Sequence, residues 1–81
     1  MQEPTSTTPD NPFEDLTPRE LEVARALALG AKNSQIAENM KISVKTVDTH
    51  RSHILGKLGI HGNVALARMA IRFGIVSLDE A

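Results

Sequence analysis

Apolar residues recur at helical spacing along most of the chain. The first such residues lie three or four apart and would share one helix face: Leu21, Ala24, Leu27 and Ala28. This helix has a well-defined start, because Thr17 is a favourable N-cap, Pro18 suits the first helical position, and Glu20 completes a capping box. Gly30 is placed to end it. The pattern therefore predicts a first helix that begins directly after Thr17.

Three more helices are predicted by the same reasoning. They run over about residues 34–39 after a cap at Asn33, over about 44–58 after a cap at Ser43, and from Gly62 or Asn63 to about Phe73. Only a few residues link the second and third helices, which makes them cross steeply, as in a helix-turn-helix. Since no segment shows the alternation of a strand, the predicted fold is all-α with four helices.

The two ends of the chain differ from this helical body. Residues 1–15 hold all but one of the prolines and a single large apolar residue, Phe13. Such a composition favours a flexible leader or linker. We therefore expect a helix-turn-helix domain over residues 16–76 and a C-terminal tail over residues 77–81.

Composition excludes several classes of protein. A chain of 81 residues holds one small domain at most, and without cysteine it has neither disulfides nor thiolate metal sites. No secretion signal and no apolar run near the roughly 20 residues of a membrane span is present, so a cytoplasmic location is expected. Residues 1–22 carry six Asp and Glu against one Arg, whereas residues 23–81 carry eight Lys and Arg against four Asp and Glu. The near-neutral chain thus has a basic body, as nucleic-acid binding requires.

The third helix has an unusual outer face. At about 100° per residue its apolar arc is formed by Val47, Ile54, Leu55 and Leu58. The opposite arc holds short or polar residues: Lys45, Asp48, Thr49, Ser52 and Gly56. Small side chains permit close approach to another surface, and hydroxyl and carboxylate groups can bond base edges. The pattern fits a helix that reads DNA, although a plain surface helix can show the same face.

Cationic residues flank this outer face. Lys45 and Lys57, with Arg51 and Lys41 nearby, are placed to hold phosphates on either side of a DNA contact. Arg51 projects into the apolar arc, so its guanidinium is expected to reach out either to a phosphate or to a carboxylate partner. The residues alone leave both choices open.

Several segments together resemble the LuxR/GerE-type DNA-binding domain, the output domain of NarL/FixJ-type response regulators and of quorum-sensing regulators. In order, they are Leu16-Thr17-Pro18-Arg19-Glu20, Gly30, Ile36-Ala37-Glu38, the run from Ile42 to Arg51, and Lys57-Leu58-Gly59. The resemblance covers about residues 15–76. It implies a four-helix domain whose third helix enters the major groove of double-stranded DNA.

The resemblance also implies roles for single residues. Asp48, Thr49 and Ser52 match positions that read bases. Positions that contact the DNA backbone match Lys45, Thr46, His50 and Lys57, and we add Arg51 as a further backbone contact. The sequence departs from the family at Gly56, where a longer and often basic residue is usual, and at Gly62, where a Ser or Thr cap is usual.

The fourth helix of the family often forms a dimer contact. In this chain the outward residues of that helix are Val64, Ala65 and Arg68, where small side chains suit close helix-to-helix approach. A homodimer on DNA through this surface is therefore expected. RNA polymerase is a further candidate partner of such a regulator.

Neither a metal site nor an active site is indicated by the residues. His50, His53 and His61 lack carboxylate or cysteine partners at ligand spacing, so no metal or other cofactor is expected. No acidic pair lies among apolar residues and a domain this small can hardly form a cleft, so an enzyme is not expected.

The remaining alternatives concern the partner. A sigma-factor region 4 type domain shares the Leu-Thr-x-Arg-Glu start, but it would need a more basic recognition helix than Asp48 and Thr49 provide. A protein-interaction module that keeps the fold without binding DNA is favoured by the neutral net charge and by Asp48. Whether the chain is a complete small regulator or the output domain of a larger one stays open at this point.

Overall fold

The computed structural model describes residues 11–80 of the chain. Within this range the fold is all-α, as predicted, and a short 3-10 turn at Pro12–Asp15 precedes four helices. The helices are α1 at Pro18–Ala28, α2 at Asn33–Met40, α3 at Val44–Leu58 and α4 at Asn63–Arg72. None of them is long and apolar enough to cross a membrane, in the part of the chain that the structure describes.

The starts of α1 and α3 are confirmed. The Glu20 N–H donates to the Thr17 hydroxyl at 3.1 Å and the Thr17 N–H donates to the Glu20 carboxylate at 2.9 Å, which closes the predicted capping box. At α3 the Thr46 N–H donates to the Ser43 hydroxyl at 3.0 Å. Both caps satisfy backbone donors that a helix start leaves without a partner.

The predicted start of α2 is wrong by one residue. Asn33 is the first helical residue, and Lys32 occupies the cap position, with its N–H donating to the Gln35 side chain at 3.0 Å. The helix ends at Met40, and the following residue, Lys41, has φ 59° and ψ 44° in the left-handed region. This conformation turns the chain sharply and leaves only residues 41–43 between α2 and α3.

One buried core joins all four helices. Its members are Phe13, Val23, Ala24, Leu27, Ala28, Ile36, Ala37, Val47, Ile54, Leu58, Leu66, Ala70 and Val76. Helix α1 packs against both α3 and α4, and α2 packs against α3. The core thus supports α3 from one side only.

The segments on either side of the four helices, as far as the structure describes them, pack against the folded domain. Phe13, only 3% exposed, lies edge-to-face with Phe73 at 6.1 Å between ring centroids, so the expectation of a leader that extends to residue 15 is wrong for residues 11–15. Residues 1–10 lie outside the described residues. At the other end, Arg25 donates to the Ile75 carbonyl at 3.0 Å and pairs with Glu80 at 3.1 Å. The segment after α4 is therefore fastened to α1.

Candidate nucleic-acid interface

Helix α3 divides into a buried side and an open side. Val47, Ile54 and Leu58 are buried in the core. The residues predicted for its outer face are all exposed: Lys45, Asp48, Thr49, Ser52 and Gly56. A Cβ added at Gly56 would meet no atom beyond its own stretch of helix within 4 Å, so no element formed by residues 11–80 covers the outer face there. The surface expected to meet DNA is free to do so.

The central residues of this face differ in their hydrogen-bonding state. The Thr49 hydroxyl donates to the Lys45 carbonyl at 3.1 Å, one turn earlier in the helix. Asp48 has no ion-pair partner among residues 11–80. Ser52 lies one turn beyond Asp48 and is also exposed. The structure therefore brings the three predicted base-reading residues together on one open surface.

The start of α3 presents both a cation and a fixed hydroxyl pair. The Lys45 side chain is exposed. The Thr46 and Ser43 hydroxyls lie 2.8 Å apart, so one donates to the other. This contact orders the first turn of α3, beside which the Lys45 ammonium is free to meet an anion.

Arg51 makes no contact with a carboxylate among residues 11–80. Its Nε donates to the side-chain oxygen of Asn63 at 2.9 Å, and Asn63 is the first residue of α4. The partner is thus a neutral amide of the same domain. Within the described structure Gly62 makes no side-chain cap for α4. The bond from Arg51 to Asn63 therefore helps to hold the start of α4 against α3.

Lys57 is engaged inside the domain as well. Its ammonium lies 2.7 Å from the Glu20 carboxylate and donates to the Asp15 carbonyl at 3.2 Å. The arrangement does not support the predicted phosphate contact by Lys57. Glu20, the acidic residue of the capping box, is only 5% exposed.

The environment of Glu20 stabilises its charged form. The hydrogen bond from Lys57, followed by the one from the Thr17 N–H, holds the pKa of the Glu20 carboxyl below the ordinary 4.5, against the opposing effect of burial. No sequence signal pointed to this pair, because 37 residues separate its members. It fastens the end of α3 to the start of α1.

The three histidines lie on α3 and in the loop that follows it. His53 lies 3.9 Å from Glu20 through its Nδ1, and His50 is half-buried on the same flank of α3. Within residues 11–80 no three His, Asp or Glu side chains come together as metal ligands.

Helix α4 offers a second exposed surface. Val64 is 73% exposed, Arg68 is exposed and Ala65 is half-buried. Beside them lies a shallow groove lined by Ile60, Met69 and Arg72. The predicted dimer residues therefore share one face of α4 at the surface.

Four helices with a three-residue turn between α2 and α3 define a helix-turn-helix protein. Comparison with known proteins narrows the class: the sequence profile of the bacterial regulatory proteins of the luxR family matches residues 14–70. The chain belongs to this family, which comprises DNA-binding regulators and not enzymes. The predicted resemblance is confirmed.

Two relatives show where such a domain occurs. The chain is 38% identical over 77 residues to the response regulator UvrY of Escherichia coli strain K12, which covers 95% of this chain and 34% of that protein. It is 43% identical over 68 residues to the oxygen regulatory protein NreC of Staphylococcus aureus strain JH9. That match covers 84% of this chain and 31% of NreC. The chain thus spans about a third of the length of these relatives.

Proposed function

We propose that the chain binds double-stranded DNA by placing α3 in the major groove and thereby positions a transcription regulator. One observation carries the proposal: α3 is buried along one side, while its other side is uncovered and bears only short or polar side chains. A major groove about 12 Å wide admits a helix with such a face. Membership of a DNA-binding family supports DNA as the partner of this surface.

Residues of this face take two roles. Asp48, Thr49 and Ser52 contact base edges, since their short polar side chains stand at the centre of the open surface. Lys45, Thr46 and His50 contact phosphates and set the position of the helix. The Arg51 Nε and the Lys57 ammonium also tie α3 to α4 and α1 through their bonds to Asn63 and Glu20. The terminal NH2 groups of Arg51 make no hydrogen bond among residues 11–80 and can still donate to a phosphate.

Salt dependence tests the DNA contact directly. Affinity for random duplexes should fall steeply between about 50 and 200 mM salt, because each phosphate contact releases condensed counterions. Lys45→Ala should lower the slope of log affinity against log salt concentration by about one, and it should weaken binding to all DNA sequences alike. Arg19→Ala removes the same charge from an exposed site on α1, where Arg19 lies 3.7 Å from the Glu22 carboxylate, and should leave the slope unchanged.

The alternative of a protein-interaction module makes a different prediction. Such a module would shift no duplex at any salt concentration. If Lys45→Ala and Thr49→Ala both leave every duplex affinity unchanged, α3 is not in the groove and the proposal fails.

We further propose that two copies pair on DNA through α4. The observation in favour is Val64, a large apolar side chain that is 73% exposed beside Ala65 and Arg68. Val64→Glu should abolish cooperative occupancy of two half-sites without unfolding the domain. Leu78→Glu is the matched control, since Leu78 is 74% exposed but lies outside α4. Cooperativity that survives Val64→Glu would place the interface elsewhere.

The larger protein context follows from the relatives. We infer that the chain acts as the output domain of a response regulator, in which a further domain would receive the signal. RNA polymerase and the cytoplasm are the partner and location that this role implies. The polymerase contact can be tested by asking whether RNA polymerase co-purifies with promoter DNA that carries the domain. The same DNA without the domain is the control.

A further inference from the structure

The central residues of α3 are not equivalent as hydrogen-bonding groups. A threonine hydroxyl has one proton to donate, and that of Thr49 is already given to the Lys45 carbonyl at 3.1 Å. What Thr49 can offer a ligand is therefore an acceptor lone pair and a methyl group. An ionised Asp48 carboxylate has no proton at all and accepts only.

Two neighbouring exposed side chains thus present acceptors alone. Asp48 meets no cation within residues 11–80, so its oxygens are not already satisfied by an ion pair of the domain. Ser52 differs, because its exposed hydroxyl makes no hydrogen bond within the same range and can either donate or accept. On this face Asp48 and Thr49 can therefore only accept hydrogen bonds from a ligand, whereas Ser52 can do either.

The major groove presents both donors and acceptors to such a face. Each base pair shows one amino group there, adenine N6 in an A·T pair and cytosine N4 in a G·C pair, whereas guanine and thymine show carbonyl acceptors. An acceptor on the protein can bond either amino group but is repelled by either carbonyl. It therefore distinguishes which strand carries the amino base, and it distinguishes A from C only weakly.

We propose that Asp48 and Thr49 read an amino-against-keto code: each selects a base pair by the strand on which A or C stands. This inference rests on the proposed placement of α3 in the groove. Exchanging the two bases between strands, A·T for T·A or C·G for G·C, leaves a desolvated acceptor facing a carbonyl. Replacing A by C on the same strand keeps the amino group in place.

The size of the effect follows from the value of a base contact. Inversion of the pair that faces Asp48 or Thr49 should weaken binding by about 5- to 150-fold, the range of a good base-edge contact. Exchange of A for C on the same strand should change affinity much less.

Selection from a random duplex library, followed by affinities for single base-pair changes in the selected site, tests the code. Wild type should yield two positions at which A and C are both accepted on one strand while G and T are rejected. Thr49→Val keeps the shape and the methyl group but removes the acceptor, so the inversion penalty should vanish at one position. Thr49→Ser should retain it.

Asp48→Asn supplies the complementary test. The amide carries both a donor and an acceptor, so it should accept either orientation and lose the inversion penalty at the second position. Ser52→Ala is the internal control, since a free hydroxyl has no fixed polarity and its loss should remove no inversion penalty. Circular dichroism of each variant checks that the helices are intact.

The outcomes separate this inference from the proposed function. Specific binding with G or T preferred opposite Asp48 and Thr49, or with A and C sharply distinguished at both positions, overturns the code while DNA binding stands. Absence of any binding to duplexes would overturn the proposed function itself.

Discussion

Replacing Glu20 by glutamine tests how the end of α3 is held. The Glu20 carboxylate accepts hydrogen bonds from the Thr17 N–H at 2.9 Å and from the Lys57 ammonium at 2.7 Å. Glutamine keeps the shape and an oxygen for Thr17 but removes the charge that attracts Lys57. The variant therefore isolates the electrostatic part of the contact between α1 and α3.

The magnitude follows from the burial of the two partners. A hydrogen bond to a charged group contributes about 1.5–3 kcal/mol when it is well shielded. The Glu20 side chain is 7% exposed but that of Lys57 is 38% exposed, so water replaces part of what the ammonium loses. We expect Glu20→Gln to lower the free energy of unfolding by about 1 kcal/mol, between the values of exposed and buried pairs. For a domain of this size that lowers Tm by about 4–8 °C.

The pH dependence has a definite sign. Because the folded protein holds the pKa of Glu20 below 4.5, the carboxylate stabilises the fold fully above that pH and loses its effect as the pH falls through the folded pKa. The difference between wild type and Glu20→Gln should therefore be largest at neutral pH and shrink in acid.

Urea unfolding followed by circular dichroism measures this difference at neutral and at acidic pH. A double-mutant cycle with Lys57→Met isolates the pair, and we expect a coupling of about 1 kcal/mol at neutral pH. Glu22→Gln is the control, since Glu22 is exposed and should change stability by no more than about 0.5 kcal/mol. A coupling near zero, or a Glu20→Gln effect that does not depend on pH, would refute the reasoning.

Three further predictions concern the frame around α3. Phe13→Ala should cost about 3–5 kcal/mol in a denaturant titration, since Phe13 is a buried aromatic, and a loss near zero would mean that the 3-10 turn is not part of the core. Lys41→Gly should raise stability by up to about 1 kcal/mol, because Lys41 has φ 59°, whereas Lys41→Ala keeps the strain and should give no gain. Arg25→Met should speed amide hydrogen exchange at Glu80, whose segment Arg25 holds through Ile75, and unchanged exchange would contradict that anchoring role.

Much of the local structure could be predicted from the sequence. The Thr17 and Ser43 caps, the glycine at the end of α3 and the apolar periodicity gave the four helices, because these signals act within one or two turns. The same periodicity identified the outer face of α3, which the structure leaves exposed. The cap of α2 was misplaced because Asn33 is a good cap residue, yet the chain uses the Gln35 side chain on Lys32 instead.

The sequence by itself therefore determined the helices and their order, since each follows from neighbours close in the chain, and the resemblance of its separate segments to a known domain indicated the family. Only the tertiary structure decided which polar groups stay free for a ligand. Lys57 and Arg51 were predicted to contact phosphate, and the structure bonds the Lys57 ammonium to Glu20 and the Arg51 Nε to Asn63, 37 and 12 residues away. Helical period gives a side chain's direction but not the group that another helix brings to meet it. These contacts use part of each cation's hydrogen-bonding capacity, and only the tertiary structure shows which part.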